Sequence, residues 1–398
     1  MNAEKRLIGN TILFSIATFF SRLLGLVREI VISSLFGLGK TTDAFFLAFT
    51  IPNLLRQLLA EGAFNNSFIP IYSDVLTEEG CKEQREFLSV VFTFLVIILV
   101  LISFLGVIFA PFLIKIFAPG FLRDQVLYSN AVSLLKILFP YIFFISLASF
   151  LSGILNAHGS FFFPALTPLW LNLSMILFSL LFWRVFGIKA LVIGVIIGGI
   201  FQLLFLVPFV IKRGIRFSFS LNFKNRYLIN ILIIMAPAII SVLVNQLNIV
   251  IDRIFASFLE VGSISALYYS NRLVQFPLGV FGIALSTVFF PLVSKYISEK
   301  QYEKFETYTS LGIRTGAVIL IPFSLYLFIF STPIISIIYE HGVFSSQDVL
   351  MTSLALKYYS IGIFFYSGAN FLNRIFYSTK DSKTPMYVSI ASVITNIF

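Results

Sequence analysis

Three charged side chains lie inside the first long apolar run of this sequence. Arg22, Arg28 and Glu29 interrupt a hydrophobic stretch from Leu7 to about Leu35. As a helix that stretch would be about 43 Å long, more than a bilayer core needs. An arginine at bilayer depth costs about 2.5–3.5 kcal/mol even on the lenient insertion scale. Arg22 therefore has to face a partner or a water-filled cavity, where a guanidinium is well suited to bind a phosphate or diphosphate.

A third arginine, Arg272 in the eighth hydrophobic segment, is predicted to reach the same cavity. Arg22 and Arg28 point about 240° apart on a straight helix, so both can face one cavity only if the helix bends, and Gly25 lies between them. Two alternatives remain open. Arg22 could pair with Glu29, seven residues away on the same face, or Arg28 could extend outward to the membrane interface.

The next apolar segment adds three charges, and two of them could act as gates. Asp43 lies at its outer end, Arg56 near its inner end and Glu61 just beyond. Asp43 and Glu61 would each pair with a basic residue in one conformation only. Fixed ion pairs at the membrane interface are the alternative interpretation.

The composition identifies the class of protein. Of the 398 residues, 58% are hydrophobic and 12% are charged, whereas soluble globular domains carry about 25% charged residues. The single cysteine, Cys81, excludes a disulfide within the chain, and His158 and His341 are too few for a histidine metal site. We predict an all-α polytopic membrane protein with no catalytic set of residues, no metal and no other cofactor.

Hydrophobic segments long enough to be spans recur along the whole chain. The segments lie at 7–35, 43–58, 87–114, 126–155, 161–183, 188–211, 229–256, 264–294, 307–338, 348–373 and 384–398. They give ten spans and the start of an eleventh.

The basic residues between these spans predict the orientation. With the N-terminus in the cytoplasm, 15 of the 28 lysines and arginines fall in inside segments and 5 in outside segments. The positive-inside rule then places the N-terminus in the cytoplasm. The net charge of +10 is explained by topology, so nucleic acid is not a predicted partner.

The chain also repeats itself at an offset of 221 residues. Leu135–Phe144 matches Leu356–Phe365, and Pro164 matches Pro385. A parallel repeat of six helices predicts two lobes around a central cavity.

The repeat sets the predicted domains. Residues 1–214 form an N-lobe, 215–228 a cytoplasmic linker and 229–398 a C-lobe. By the same offset the second copy should end near residue 433, so we expect the second lobe to be truncated at its C-terminus.

Several motifs resemble those of the MurJ/MviN lipid II flippases. The first is Ser21-Arg22-Leu23-Leu24-Gly25-Leu26-Val27-Arg28-Glu29, and it is followed by Phe36-Gly37, Thr42-Asp43-Ala44-Phe45-Phe46, Pro52-Asn53-Leu54-Leu55-Arg56 and Ala60-Glu61-Gly62-Ala63-Phe64. Further matches are Ala118-Pro119-Gly120-Phe121, Phe139-Pro140-Tyr141, Tyr268-Tyr269 with Arg272, Phe276-Pro277 with Gly279, and Lys383-Thr384-Pro385. The resemblance covers essentially the whole chain, and its first block is the most specific.

The resemblance implies a member of the multidrug/oligosaccharidyl-lipid/polysaccharide exporter superfamily in a bacterial cytoplasmic membrane. It implies that Arg22, Arg28 and Arg272 bind a diphosphate and that Ser265 lines the cavity. Asp43, Arg56 and Glu61 would be gating or otherwise important charges. Asn271 and Gln275 stand where some relatives have acids, which puts ion coupling through those two positions in doubt.

The expected function is movement of lipid II, a polyprenyl-diphosphate-linked peptidoglycan precursor, to the external leaflet by alternating access. Membrane potential or a monovalent cation is a possible energy source, and the cell-wall synthesis machinery is a possible partner besides membrane lipid. Two alternatives stay open. One is another polyprenyl-linked polysaccharide flippase or exporter of the superfamily, and the other is a scaffold of a cell-wall synthesis complex that transports nothing.

Overall fold

Helices are the regular secondary structure of the part of the chain that the structure describes. A computed structural model describes residues 2–279, 283–379, 381 and 383–397. Every regular element within these ranges is a helix. Among the described residues, five helices are long and apolar enough to cross a membrane, or six if the bent pair Ser346–Ile361 and Ile363–Phe376 counts as one span. The predicted class, an all-α polytopic membrane protein, is confirmed.

The helices form two compact units. The first comprises the chain up to Phe36 together with Lys40–Leu259, and the second comprises Gly37–Gly39 together with the chain from Glu260 onward.

The first unit holds nine α-helices. They are α1 (Asn2–Phe36), α2 (Lys40–Arg56), α3 (Ala63–Glu78), α4 (Cys81–Phe117), α5 (Gln125–Leu138), α6 (Tyr141–Ala157), α7 (Phe162–Phe186), α8 (Lys189–Ile211) and α9 (Arg226–Ala256). A π-helical segment, Gln57–Gly62, joins α2 to α3, and a 3₁₀ turn, Pro119–Arg123, precedes α5.

The second unit holds seven α-helices within its described residues. They are α10 (Ser263–Pro277), α11 (Ile283–Ser298), α12 (Tyr302–Ile329), α13 (Ser331–Tyr339), α14 (Ser346–Ile361), α15 (Ile363–Ser378) and α16 (Lys383–Ile397).

Some predicted spans are carried by helices that are shorter than a straight membrane span requires. α2 has 17 residues and α10 has 15, fewer than the roughly 20 that a straight span requires. α2 continues into the π-helical segment. The hydrophobic pattern alone does not reveal such breaks, because apolar residues continue through them.

The position of α9 differs from the predicted domain division. The repeat assigns residues 229–398 to the second lobe, yet α9 packs against α3 and α4 and belongs to the first compact unit. The predicted lobes at 1–214 and 229–398, with their linker at 215–228, stay a prediction from the repeat.

Aromatic rings form much of the interior of the first unit. Phe64 stacks on Phe68 with 5.3 Å between ring centroids, and Phe68 stacks on Tyr72 at 5.4 Å. Phe150 of α6 lies 5.2 Å from Phe68. All four rings are buried. Aromatic pairs add about 0.5–1.5 kcal/mol each beyond area burial, and the Phe68–Phe150 pair stabilises the packing of α3 against α6.

The 3₁₀ turn packs against the end of α9 so closely that only glycine fits. A Cβ added to Gly120 would lie 2.1 Å from the carbonyl oxygen of Ser257, and the Gly120 amide donates to Ser257 Oγ at 3.0 Å. We expect Gly120→Ala to lower the free energy of unfolding by about 1–3 kcal/mol. The added methyl group would contact backbone atoms of Ser257, which cannot move aside as a flexible side chain could. Thermal unfolding of the purified protein measures this. Gly368→Ala, with open space around it, is the control, and equal melting temperatures for the two variants would contradict the packing.

A polar pair joins the start of α2 to the start of α5. Lys40 Nζ lies 2.5 Å from Asp124 Oδ2, and Asp124 also accepts from the amides of Val126 and Leu127. The hydrogen bond from Lys40, followed by the amide bonds, holds the pKa of Asp124 below its usual value.

Because the folded-state pKa of Asp124 is lowered, its contribution to stability is present above the unfolded pKa of about 3.9 and is lost as the pH falls through the folded value. Asp124→Asn should therefore reduce the loss of melting temperature between pH 6 and pH 3. Glu299→Gln, which alters an exposed pair with Lys295, is the control. An acid profile of Asp124→Asn identical to that of the parent would refute this role.

Candidate functional site

The two arginines of α1 lie in different surroundings. Arg22 is exposed, whereas Arg28 is only 4% exposed. α1 runs as one helix through Gly25, and six residues turn a helix by about 240°. The structure therefore places the two side chains on different faces of α1, rather than together through a bend at Gly25.

Arg28 lies in a buried polar cluster between α1 and α7. It forms an ion pair with Glu29, which is completely buried, and its Nη1 donates to Asn172 Oδ1 at 2.8 Å. Nη1 also lies 3.7 Å from the sulfur of Met175. The structure has neither of the two alternative arrangements considered from the sequence. Glu29 pairs with Arg28 and not with Arg22, and Arg28 is buried and does not extend to the membrane interface.

Asn172 is the residue of this cluster that sequence reasoning missed. Its side chain is 6% exposed, and its Nδ2 donates to the backbone oxygen of Ser21 at 3.1 Å. Asn172 therefore connects α7 to α1 through the backbone of Ser21, the residue before Arg22. It also accepts a hydrogen bond from the guanidinium of Arg28. The sequence feature that could have identified Asn172 is its position inside an apolar run, because a polar group at bilayer depth needs a partner.

Arg272 belongs to an exposed polar strip on α10 in the second unit. Its guanidinium lies 5.2 Å from the ring centroid of Tyr268, and Nη2 donates to the Tyr268 hydroxyl at 3.0 Å. Asn271 and Gln275 are exposed on the same helix. The ring and the hydroxyl orient the guanidinium, which carries five N–H donors in a planar fork. An exposed, oriented guanidinium of this kind is suited to bind phosphate oxygens.

Asp43 and Arg56 lie at opposite ends of α2. Asp43 is 2% exposed in the first turn, and Arg56 is half-buried in the last turn, where its Nε donates to Asn53 Oδ1 at 3.2 Å. Thirteen residues of helix separate them by about 20 Å. They do not form one site in this structure, and gating by either charge stays a prediction.

The other two predicted cavity residues are placed as follows. Glu61 belongs to the π-helical segment, but its side chain lies outside the described residues. The segment ends at Gly62, where an added Cβ would lie 2.4 Å from the carbonyl oxygen of Gln57. π-helical turns often occur at functional sites.

Ser265, the remaining predicted cavity residue, is completely buried in the first turn of α10.

Within the part of the chain that the structure describes, no group of three or more histidine, cysteine, aspartate or glutamate side chains is arranged to hold a metal ion. The charged groups of the predicted diphosphate site that the structure describes are the arginines of α1 and α10, and Glu29 beside Arg28.

Comparison with known proteins identifies the family. The family model described as "Lipid II flippase MurJ" matches residues 32–398. A relative from Buchnera aphidicola subsp. Schizaphis graminum, described as a probable lipid II flippase MurJ, is 40% identical over 99% of this chain and 76% of the relative. The lipid II flippase MurJ of Burkholderia cenocepacia is 34% identical over 95% of this chain and 74% of the relative.

Solved structures show the same fold. A lipid II flippase MurJ in an inward closed conformation matches with a TM-score of 0.84 and 34% identity, over 97% of this chain and 80% of that one. An inward-facing multidrug transporter of the MATE family matches with a TM-score of 0.73 over 96% of this chain and 88% of that one. Its 14% identity supports the fold alone. With a family match across residues 32–398 and relatives up to 40% identical, this chain belongs to the MurJ family of lipid II flippases.

Proposed function

We propose that this chain moves lipid II from the cytoplasmic to the external leaflet of a bacterial inner membrane. The observation that carries the proposal is the match to the lipid II flippase family over residues 32–398, together with bacterial relatives of that description. The helices apolar enough to cross a membrane support a protein embedded in the bilayer. The basic residues between the spans support an N-terminus in the cytoplasm.

Lipid II carries a diphosphate between its polyprenyl tail and its headgroup, so its carrier needs cationic donors. Arg22 and Arg272 are the exposed arginines of the predicted site, and each can donate two parallel hydrogen bonds to phosphate oxygens. Arg28 is buried beside Glu29 and Asn172. We assign Arg28 to the diphosphate only in a conformation in which this cluster opens.

In the proposed cycle, the inward-open protein admits the headgroup while the polyprenyl tail stays in the lipid phase. Binding of the anion removes repulsion among the arginines and permits the outward-open state. Membrane potential could reset the cycle, because moving one charge through 100 mV is worth about 2.3 kcal/mol. A monovalent cation is the alternative energy source, and contact with the cell-wall synthesis machinery is part of the same proposal.

Cells depleted of their own flippase provide the test. Expression of this chain should restore labelled lipid II at the external face, measured by its accessibility to an added lipid II-binding probe. The control expresses a variant with Arg272→Glu at equal membrane level. If the chain reaches the membrane in folded form and external lipid II stays at the depleted level, the proposed transport is wrong, and a scaffold role becomes the better explanation.

A further inference from the structure

The chain between α8 and α9, residues 212–225, passes over α4, and we call it the crossing segment. The structure describes it in full, and it forms neither helix nor strand. The amide of Ser218 donates to Ser89 Oγ at 3.1 Å, and the amide of Ser220 donates to Thr93 Oγ1 at 3.0 Å. Both acceptor side chains are buried. The backbone of the crossing segment therefore has a defined position on α4.

Two aromatic contacts show that the crossing segment passes from one side of α4 to the other. Phe217 stacks on Phe92 with 4.8 Å between ring centroids. Phe223 lies 6.3 Å from Phe94. Phe92 and Phe94 are two residues apart, so they point about 200° apart around the helix. Residues 217–223 therefore wrap around part of α4.

The crossing segment lies on the face of α4 that otherwise contacts lipid. α4 is a candidate membrane span, and exposed apolar side chains recur along it every three or four residues. They are Ile97, Val100, Phe104, Ile108, Phe112 and Ile116, each 43–63% exposed. This spacing places them on one helix face, and on a spanning helix that face contacts hydrocarbon.

The same spacing, continued toward the start of α4, reaches Thr93 and Val90. Both are completely buried, and Thr93 is bonded to the crossing segment. At this level the crossing segment therefore lies between α4 and the surrounding medium.

The length of α4 indicates what that medium is. Between Glu86 and Lys115 the helix carries no charged residue. Along the helix, Thr93 lies about 33 Å and Ser89 about 39 Å from Lys115. A hydrocarbon core is about 30 Å thick, and about 40–45 Å with its headgroups. With Lys115 at one edge of the core, the crossing segment passes α4 at the opposite edge, in the headgroup layer.

Two large apolar side chains of the crossing segment are exposed at this level. Phe219 is 69% exposed and Leu221 is 66% exposed. They flank Ser220, whose amide is bonded to Thr93 of α4. Apolar side chains at the headgroup layer are stabilised when they enter the acyl region beneath it, as in segments that lie in the membrane interface.

The charges of the crossing segment have one sign. It contains Lys212, Arg213, Arg216 and Lys224 and no aspartate or glutamate. All four basic residues are exposed. Apolar area and positive charge together are what binds a segment to a surface of anionic lipid.

We propose that the crossing segment is an interfacial membrane anchor that binds anionic phospholipid. Phe219 and Leu221 enter the acyl region, and the four cations lie among the lipid phosphates. The segment takes the place of lipid against the first turns of the α4 span and fixes the start of α9 at the membrane surface. Such a position differs from that of a linker in water. The inference does not depend on which substrate the protein transports.

Fluorescence quenching in nanodiscs tests the depth of the segment. Cys81 is the only cysteine, so Cys81→Ser permits single labelling sites at Phe219→Cys and Leu221→Cys. Lys82→Cys, in the exposed first turn of α4, is the aqueous control, and Phe104→Cys is the control within the bilayer. Iodide should quench the label at position 82 but not those at 219 and 221. Lipid brominated near its headgroup should quench the labels at 219 and 221 more than the label at 104.

The unmodified chain provides a second measurement that needs no label. Phe219 and Tyr302 have similar exposed fractions, 69% and 65%. Hydroxyl-radical oxidation in nanodiscs, normalised to the unfolded chain, should be lost at Phe219 and retained at Tyr302. Equal oxidation of the two residues, or iodide quenching at positions 219 and 221 equal to that at position 82, would overturn the proposal, because the segment would then lie in water.

The preference for anionic lipid is tested with the label at position 219. Its quenching by brominated phosphatidylglycerol is compared with quenching by brominated phosphatidylcholine, each added in the same small amount. Arg216→Gln should lower the preference for phosphatidylglycerol about fivefold, the loss expected for one cation near an anionic surface. Lys300→Gln, exposed but outside the segment, should leave it unchanged. A parent that shows no preference would refute the binding of anionic lipid.

Discussion

Glu29→Ala is expected to destabilise the protein by about 3–5 kcal/mol, because it leaves the buried cation of Arg28 without its ion-pair partner. Both side chains are at most 5% exposed, and Asn172 supplies a neutral acceptor rather than a charge. The expected fall in melting temperature is roughly 4–6 °C for a chain of this length. Thermal unfolding of the purified protein in one detergent measures it. Glu299→Ala is the matched control, since it removes a carboxylate from an exposed pair, and such pairs contribute about 0–1 kcal/mol.

A double variant separates the two roles considered for Arg28. Arg28→Met with Glu29→Met removes both charges, and replacement of a buried ion pair by apolar side chains is often neutral for stability. The melting temperature should therefore return most of the way to that of the parent. If lipid II movement also returns, Arg28 is structural. If stability returns and transport does not, Arg28 acts on the substrate. A single Glu29→Ala variant as stable as the parent would show that the pair is not buried in the folded protein.

The class of the protein was predictable because it depends on properties that are local in sequence. Long apolar segments and few charges require helices that satisfy their own backbone hydrogen bonds in lipid. The structure confirms helices as the regular elements of its described part. The motif Ser21–Glu29 contains the buried ion pair of Arg28 and Glu29, while its role in binding substrate stays a prediction.

The partners within that motif were not predictable, because they depend on which faces of distant helices meet. Arg28 and Asn172 are 144 residues apart, and no local pattern pairs them. Spacing alone left a pair of Arg22 with Glu29 open as an alternative, since residues seven apart share a helix face. Once α7 packs on α1, Asn172 and Met175 lie beside Arg28, and the adjacent Glu29 satisfies its charge. The packing of α9 against α3 and α4 also depends on which helix faces meet. The repeat relates α9 to an earlier helix in the sequence and does not predict its packing partners.

Arg272→Ala is expected to reduce lipid II movement about ten- to hundredfold while leaving the amount of folded protein in the membrane unchanged. A hydrogen bond to a charged group contributes about 1.5–3 kcal/mol, and each 1.4 kcal/mol is a factor of ten. Arg272 is exposed, so its removal leaves no buried charge behind. Arg272→Lys should fall between the parent and Arg272→Ala, because lysine keeps the charge but loses the planar fork that binds phosphate bidentately.

The same unit offers a matched control for the ring contact of Arg272. Lys304 Nζ lies 5.6 Å from the ring centroid of Tyr296, and Arg272 lies 5.2 Å from that of Tyr268. Lys304→Ala removes an exposed cation–π contact without touching the predicted site, so external lipid II should stay at the parental level. Equal transport by the parent, Arg272→Ala and Arg272→Glu would show that this guanidinium contacts no substrate phosphate. Loss of transport in Lys304→Ala as well would mean that the loss reflects damage to the fold, because both variants remove an aromatic contact of the same geometry.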